Sequence, residues 1–103
     1  MKRTKRRYLA VQVESESVPS EREVMDAVWG SVTKLFGEAG ASLTGLVLID
    51  FDVERKIALI RCALVSLPSV RASLAAVTRV GGREAALHVL AVSGTIKALV
   101  AGL

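Results

Sequence analysis

The chain has 103 residues, 51% of them apolar and 4% aromatic, with a formal net charge of +4. That length suits one domain that buries a two-layer core without metal or disulfide staples, and a lone cysteine, Cys62, excludes an internal disulfide. No apolar run reaches the roughly 18–20 residues of a membrane span, and the start of the chain alternates instead of forming a signal-peptide core, so a soluble, cytoplasmic protein with no membrane partner is expected.

The charge is uneven. Five basic residues, Lys2, Arg3, Lys5, Arg6 and Arg7, sit in the opening "MKRTKRR", and the nine that remain nearly balance ten acidic ones. A near-neutral body with a short basic arm over residues 1–7 is the pattern of a chain that meets phosphate backbones. Residues 8–14 alternate and read as a strand, with Leu9, Val11 and Val13 on one face. Ser20 and Glu23 have capping-box spacing and open a helix whose stripe is Val24, Val28, Val32, Leu35 and Phe36, ended by Gly37 and Gly40. Residues 46–51 and 56–65 read as a hairpin. Ser66 is placed to cap a second helix with Pro68 in its first turn, a stripe of Val70, Leu74 and Val77, and a stop at Gly81–Gly82. A last strand over 84–92 leads through Ser93-Gly94-Thr95 into a short final helix.

The order β-α-β-β-α-β plus a terminal helix predicts an α+β, ferredoxin-like sandwich: a four-stranded antiparallel sheet with two helices on one face. The hairpin strands are apolar on both faces, so the second face of the sheet needs cover. The final helix, through Ile96 and Leu99, is expected to cover part of it. The rest, with Leu46, Leu48 and Leu59, is expected to pair with another chain or a second copy. Strand aromatics are few, and the RRM signature is missing from "RKIALIRCAL", which argues against bases stacked across the sheet.

No catalytic constellation emerges. His88 is the sole histidine and makes no triad, Cys62 reads as a core thiol, and Asp50 and Asp52 read as a polar strand end more than a metal pair. Arg61 is the odd residue, mid-strand among apolar neighbours on the face away from the two main helices. It needs a carboxylate, a phosphate or a water-filled edge: a salt bridge to Asp50 or Asp52 across the hairpin is the ordinary reading, and an RNA phosphate or a partner's carboxylate the other. The turn into the last helix, with Thr95 and Lys97, is either an anion site or an ordinary cap in which Ser93 caps the helix, Gly94 allows the turn and Lys97 is solvated.

"KRRYLAVQV", "AVWGSVTKLFGEAGAS", "LIRCALVSLPSVRASLA" and "HVLAVSGTIKAL" together resemble the archaeal ribonuclease P protein component 2 family and its related eukaryotic subunits. The resemblance spans nearly the whole chain in order. It implies a ferredoxin-like, non-catalytic subunit of the ribonucleoprotein that removes the 5′ leader of precursor tRNA. Hydrolysis then belongs to ribonuclease P RNA and its bound Mg²⁺, with no cofactor on the protein. The implied protein partner is the TIM-barrel-like ribonuclease P protein component 3, with two copies of this chain at the centre of a heterotetramer. Electrostatic scaffolding is the expected mechanism, with Arg61, Arg79, Arg83, Thr95 and Lys97 joining the arm at one end of the fold. The competing reading is a ferredoxin-like regulatory or small-molecule-sensing domain that dimerises through its sheet.

Overall fold

The computed structural model describes residues 5–103. Lys2 and Arg3 lie outside them. Strand β1 is Arg6–Glu14, so Arg6 and Arg7 belong to the sheet and not to a free arm. The alternation of apolar and polar residues dictates this strand: Leu9, Val11 and Val13 are buried on one face.

Helix α1, Glu21–Ser42, opens on the expected capping box: the Ser20 hydroxyl accepts from Glu23 N (3.1 Å) and the Glu23 carboxylate accepts from Ser20 N (2.9 Å). Gly37, at φ 77°, interrupts the helix as glycine can, but one more turn follows to Ser42 because Ala41 is buried and worth keeping helical. Strands β2, Val47–Asp52, and β3, Ile57–Ala63, form the hairpin, and Asp52 Oδ1 accepts from Arg55 N (3.1 Å) in its turn.

A single 3₁₀ turn, Leu64–Ser66, then precedes α2, Leu67–Ala75. Ser66 does not cap α2: its backbone is helical (φ −96°, ψ −1°) instead of extended, and its hydroxyl reaches back to Leu43 O. Nor do Gly81 and Gly82 stop that helix. They form the turn of a small hairpin, β4 (Arg79–Val80) with β5 (Arg83–Glu84). Two successive positive φ angles, 61° and 77°, suit a tight hairpin better than a helix end. Strand β6, Ala86–Ser93, and helix α3, Ile96–Ala101, complete the chain.

The main sheet runs β2-β3-β1-β6, antiparallel throughout, which is the ferredoxin-like order expected. On one face α1 and α2 bury Val24, Val28, Val32, Val70 and Leu74 against Leu9, Val11, Ile60 and Cys62. Burial at this level is worth about 1.5–3 kcal/mol per large side chain, which makes this layer the main source of stability. On the other face α3 packs Leu99 with Ala10 and Ile57, ringed by Tyr8, Leu59, Ala91 and Leu103.

Two bulges reset the alternation. Ile49 is the extra residue in β2 and Leu90 the extra residue in β6. The first overturns part of the expected partner surface. It turns Leu46, Leu48 and Phe51 all toward the helices, so Leu46 and Leu48 spend their surface inside the chain. Leu99 is also used internally, at 1% exposure. Of that set, Leu59 is half-buried at the rim of the α3 cluster, and Ile96 is open to solvent.

Candidate nucleic-acid interface

The start of β1, the end of β3 and the turn after β6 meet at one end of the sheet. Arg6 lies opposite Ala63, Arg7 opposite Cys62, and Tyr8 lies opposite both Arg61 and Ser93. Lys5 is fixed just before β1, because its carbonyl accepts from Leu64 N (2.8 Å). Arg7 Nη1 donates to Arg6 O (2.8 Å), and its guanidinium lies over the Ser93-Gly94-Thr95 turn, 3.7 Å from where a Cβ on Gly94 would stand. Lys97 follows on the first turn of α3, exposed. Lys5, Arg6, Arg7, Arg61 and Lys97 are therefore gathered at one end, with no salt bridge to any of them among the described residues.

Thr95, not Ser93, is the N-cap of α3. Its hydroxyl accepts from Ala98 N (3.2 Å), while Ser93 Oγ accepts from Thr95 N (3.3 Å). The ordinary cap is thus what the turn visibly does, and Thr95 contributes by orienting the helix that carries Lys97.

Arg79 and Arg83 do not join this end. They stand on the β4–β5 hairpin, which borders an open groove together with Glu14, Glu16 and Glu84 at the opposite end of β1. The cause is the glycine turn: it folds 79–84 back beside the β1–α1 loop instead of letting the strand begin at residue 84. Arg79 is further tied to its own hairpin, donating to Gly82 O (2.9 Å).

Arg61 lies on the face away from α1 and α2, as its alternation demanded, but the expected bridge to Asp50 or Asp52 is not made. The bulge at Ile49 puts Asp50 opposite Leu59, Asp52 opposite Ile57 and Val47 opposite Arg61. The Arg61 Nε is excluded from solvent and has no hydrogen-bond partner among the described residues. Burial pushes the Cys62 thiol up from its ordinary value, in keeping with a core residue. His88 Nε2 donates to Glu14 Oε2 (2.6 Å) at the acidic end and takes no part in the basic site.

The residue that the sequence reading passed over is Tyr8. It is half-buried on the α3 face, directly across from Arg61 and two residues from Arg6. Strand register was the signal: Arg6, Tyr8 and Arg61 fall on one face once β1 is extended back to Arg6.

A four-stranded antiparallel sheet in ferredoxin-like order, with two helices on one face and cations free of salt bridges gathered at one end, defines a small ferredoxin-like α+β protein. The chain belongs to the Rpp14/Pop5 family, whose model matches residues 7–101. It is 39% identical over 95 residues to ribonuclease P protein component 2 of Methanosarcina mazei, covering 92% of this chain and 80% of that protein. It is 37% identical over 97 residues to the protein of the same name from Pyrococcus furiosus, covering 94% and 81% respectively. Among solved structures, a chain of yeast ribonuclease MRP, determined by cryo-electron microscopy, superposes with a TM-score of 0.70 at 13% identity, covering 92% of this chain and 78% of that one. The last similarity concerns the fold.

Proposed function

We propose that this protein is a non-catalytic subunit of ribonuclease P that supports the RNA of that enzyme in removing the 5′ leader from precursor tRNA, in the cytoplasm. Family membership over nearly the whole chain carries this reading, since the relatives are themselves named ribonuclease P protein component 2. The basic end supports it: five cations without carboxylate partners suit a phosphate backbone, which supplies most of the affinity in such complexes. In this reading bond cleavage belongs to the RNA with its own Mg²⁺, and the protein's part is to neutralise and position.

The protein partner in this reading is the TIM-barrel-like component 3, with self-association of this chain in a heterotetramer. The apolar residues left exposed beside the basic end, Leu43, Val47 and Val65, suit a protein contact there. The alternative, a sensing domain dimerising through its sheet, needs the sheet centre free, and Leu99 occupies it. Reconstitution tests the proposal. Catalytic RNA, precursor tRNA, Mg²⁺ and component 3 are assayed for leader cleavage with and without this chain. Faster cleavage at modest Mg²⁺ on its addition is expected; no change with a folded chain would refute the assignment.

A further inference from the structure

On the basis that this chain binds RNA, we infer that Tyr8 with Arg6 and Arg61 forms a site for one unpaired RNA nucleotide, the base stacked on the Tyr8 ring and its phosphate on the arginines. Three observations carry this. The first is the placement of Tyr8. It sits on the face opposite α1 and α2, where the α3 cluster of Ala10, Ile57 and Leu99 packs against it and leaves it half-buried. Arg61, Arg6 and Val47 share that face toward the basic end.

The second is the geometry of the register. Tyr8 faces Arg61 directly across the β1–β3 ladder, and Arg6 is the next residue of β1 on that face. Directly opposed strand residues have Cβ atoms about 4.5–5.5 Å apart, and alternate residues on one strand are about 7 Å apart. Their side chains thus start from neighbouring positions on one face, within reach of a base and its adjoining phosphate, and stacking beside arginines is how single strands are held without regard to sequence.

The third is the unpartnered Arg61 Nε. No carboxylate holds the guanidinium, because Asp50 and Asp52 are turned to other strand positions. Nε itself is shut off from solvent, so a phosphate would meet the fork through its two Nη groups, with two parallel hydrogen bonds that a lysine cannot reproduce. The Tyr8 hydroxyl makes no hydrogen bond among the described residues, so the ring is held by its apolar contacts and its tip stays available. A duplex offers no exposed base face to this ring. The site therefore selects loops, bulges and strand ends, while the basic residues at the rim serve any backbone. One aromatic at the right register does locally what the RRM pattern does across a whole sheet.

The test uses the full chain with a labelled oligoadenylate carrying 2-aminopurine and, in parallel, a blunt RNA duplex, both at low salt. Wild type and Tyr8→Phe are expected to quench 2-aminopurine and bind the single strand alike. Tyr8→Leu is expected to lose the quenching and about tenfold in single-strand affinity, with duplex affinity unchanged. Arg61→Lys is expected to weaken single-strand binding although the charge is kept. Thermal unfolding confirms that the variants fold; should Tyr8→Leu fail to fold, Tyr8→Trp is expected to bind at least as tightly as wild type, and weaker binding by it counts against the site. Undiminished quenching by folded Tyr8→Leu, or a Tyr8→Phe variant as weak as Tyr8→Leu, overturns the inference. Duplex binding without single-strand binding also overturns it while leaving the RNA-subunit reading intact. Binding of neither RNA strikes the reading on which it rests.

Discussion

Neutralising the first three described cations is the most direct probe of the basic end. The natural experiment, deletion of residues 1–7, is the wrong one here. It removes the Lys5 carbonyl that holds Leu64 and the first two rungs of the β1–β3 ladder, so it damages the fold along with the charge. Substitution by glutamine at Lys5, Arg6 and Arg7 leaves the backbone in place. If Lys5, Arg6, Arg7, Arg61 and Lys97 each neutralise one phosphate, the slope of log affinity against log salt is about −4.5, by analogy with about −0.9 per phosphate on duplex DNA. The triple variant keeps two of these cations, giving about −1.8. Between about 50 and 200 mM salt the wild type then loses about 500-fold in affinity and the variant about 12-fold. Residues 1–4 add equally to both slopes, so the difference of about 2.7 stands whatever they contribute. The assay is titration of a labelled RNA hairpin at several salt concentrations. The control is Arg79→Gln with Arg83→Gln. Nine residues of β1 separate the ends, and at about 3.3 Å per residue that is about 26 Å, more than two Debye lengths in 0.1 M salt. The control slope should equal that of wild type. If the control flattens the slope as much as the triple variant does, the placement of the interface at the β1 start is refuted.

Other consequences follow from the packing. Leu99→Ala removes the side chain that ties α3 to Ala10 and Ile57, and a loss of about 2–3 kcal/mol in denaturant unfolding is expected; an unchanged midpoint would show that α3 is not docked. Gly81 and Gly82 both have positive φ, but a Cβ on Gly81 runs into the Glu23 carboxylate whereas one on Gly82 meets nothing. Gly81→Ala should therefore cost about 1 kcal/mol more than Gly82→Ala, and equal costs would mean that the hairpin does not rest on the start of α1. Cys62 should resist alkylation at neutral pH until the chain unfolds. Its thiol pKa is raised by burial, so its contribution to stability is full below the unfolded value of 9.0 and is lost as pH rises from there through the folded value. Rapid labelling of the native protein at pH 7 would contradict this.

The fold was legible where one physical rule dominates. Alternation in residues 8–14 and the Ser20–Glu23 box could each be satisfied in one way, and each appears as expected. The errors lie where a local feature supports two structures. A glycine pair ends helices and turns hairpins, and only the packing of Val77 and Val80 into the core decides that Gly81–Gly82 does the second. A bulge leaves no mark in an apolar run, so the parity of Leu46 and Leu48 could not be read past Ile49, and the partner surface moved with it. The candidate site was half legible for the same reason. The types of Arg61 and Lys97 raised the question of an anion, but their company depends on register: one extra residue in β2 takes Asp50 away from Arg61, and one tight turn takes Arg79 and Arg83 to the far end.

These displacements have a common consequence for mechanism. Counted along the chain, the basic excess looked like the property of a tail attached to a neutral body. In three dimensions the body is itself polarised. Arg6 and Arg7 are rungs of the sheet, Arg61 is embedded in it, and Leu99 anchors the helix that carries Lys97 beside Arg7, while Glu14, Glu16 and Glu84 gather at the other end. Cations on ordered backbone lose less freedom on binding than cations on a tail, so each phosphate contact retains more of its Coulombic gain. Such a body also offers a polyanion one end with unpaired cations, while at the other end Arg79 and Arg83 are offset by the glutamates, which favours one orientation as well as affinity. A flexible tail would give adhesion without direction. The proposed subunit role calls for direction, because other faces would have to meet protein partners at a set angle to the RNA, and the sheet holds its charge in a fixed relation to the exposed Leu43, Val47 and Val65.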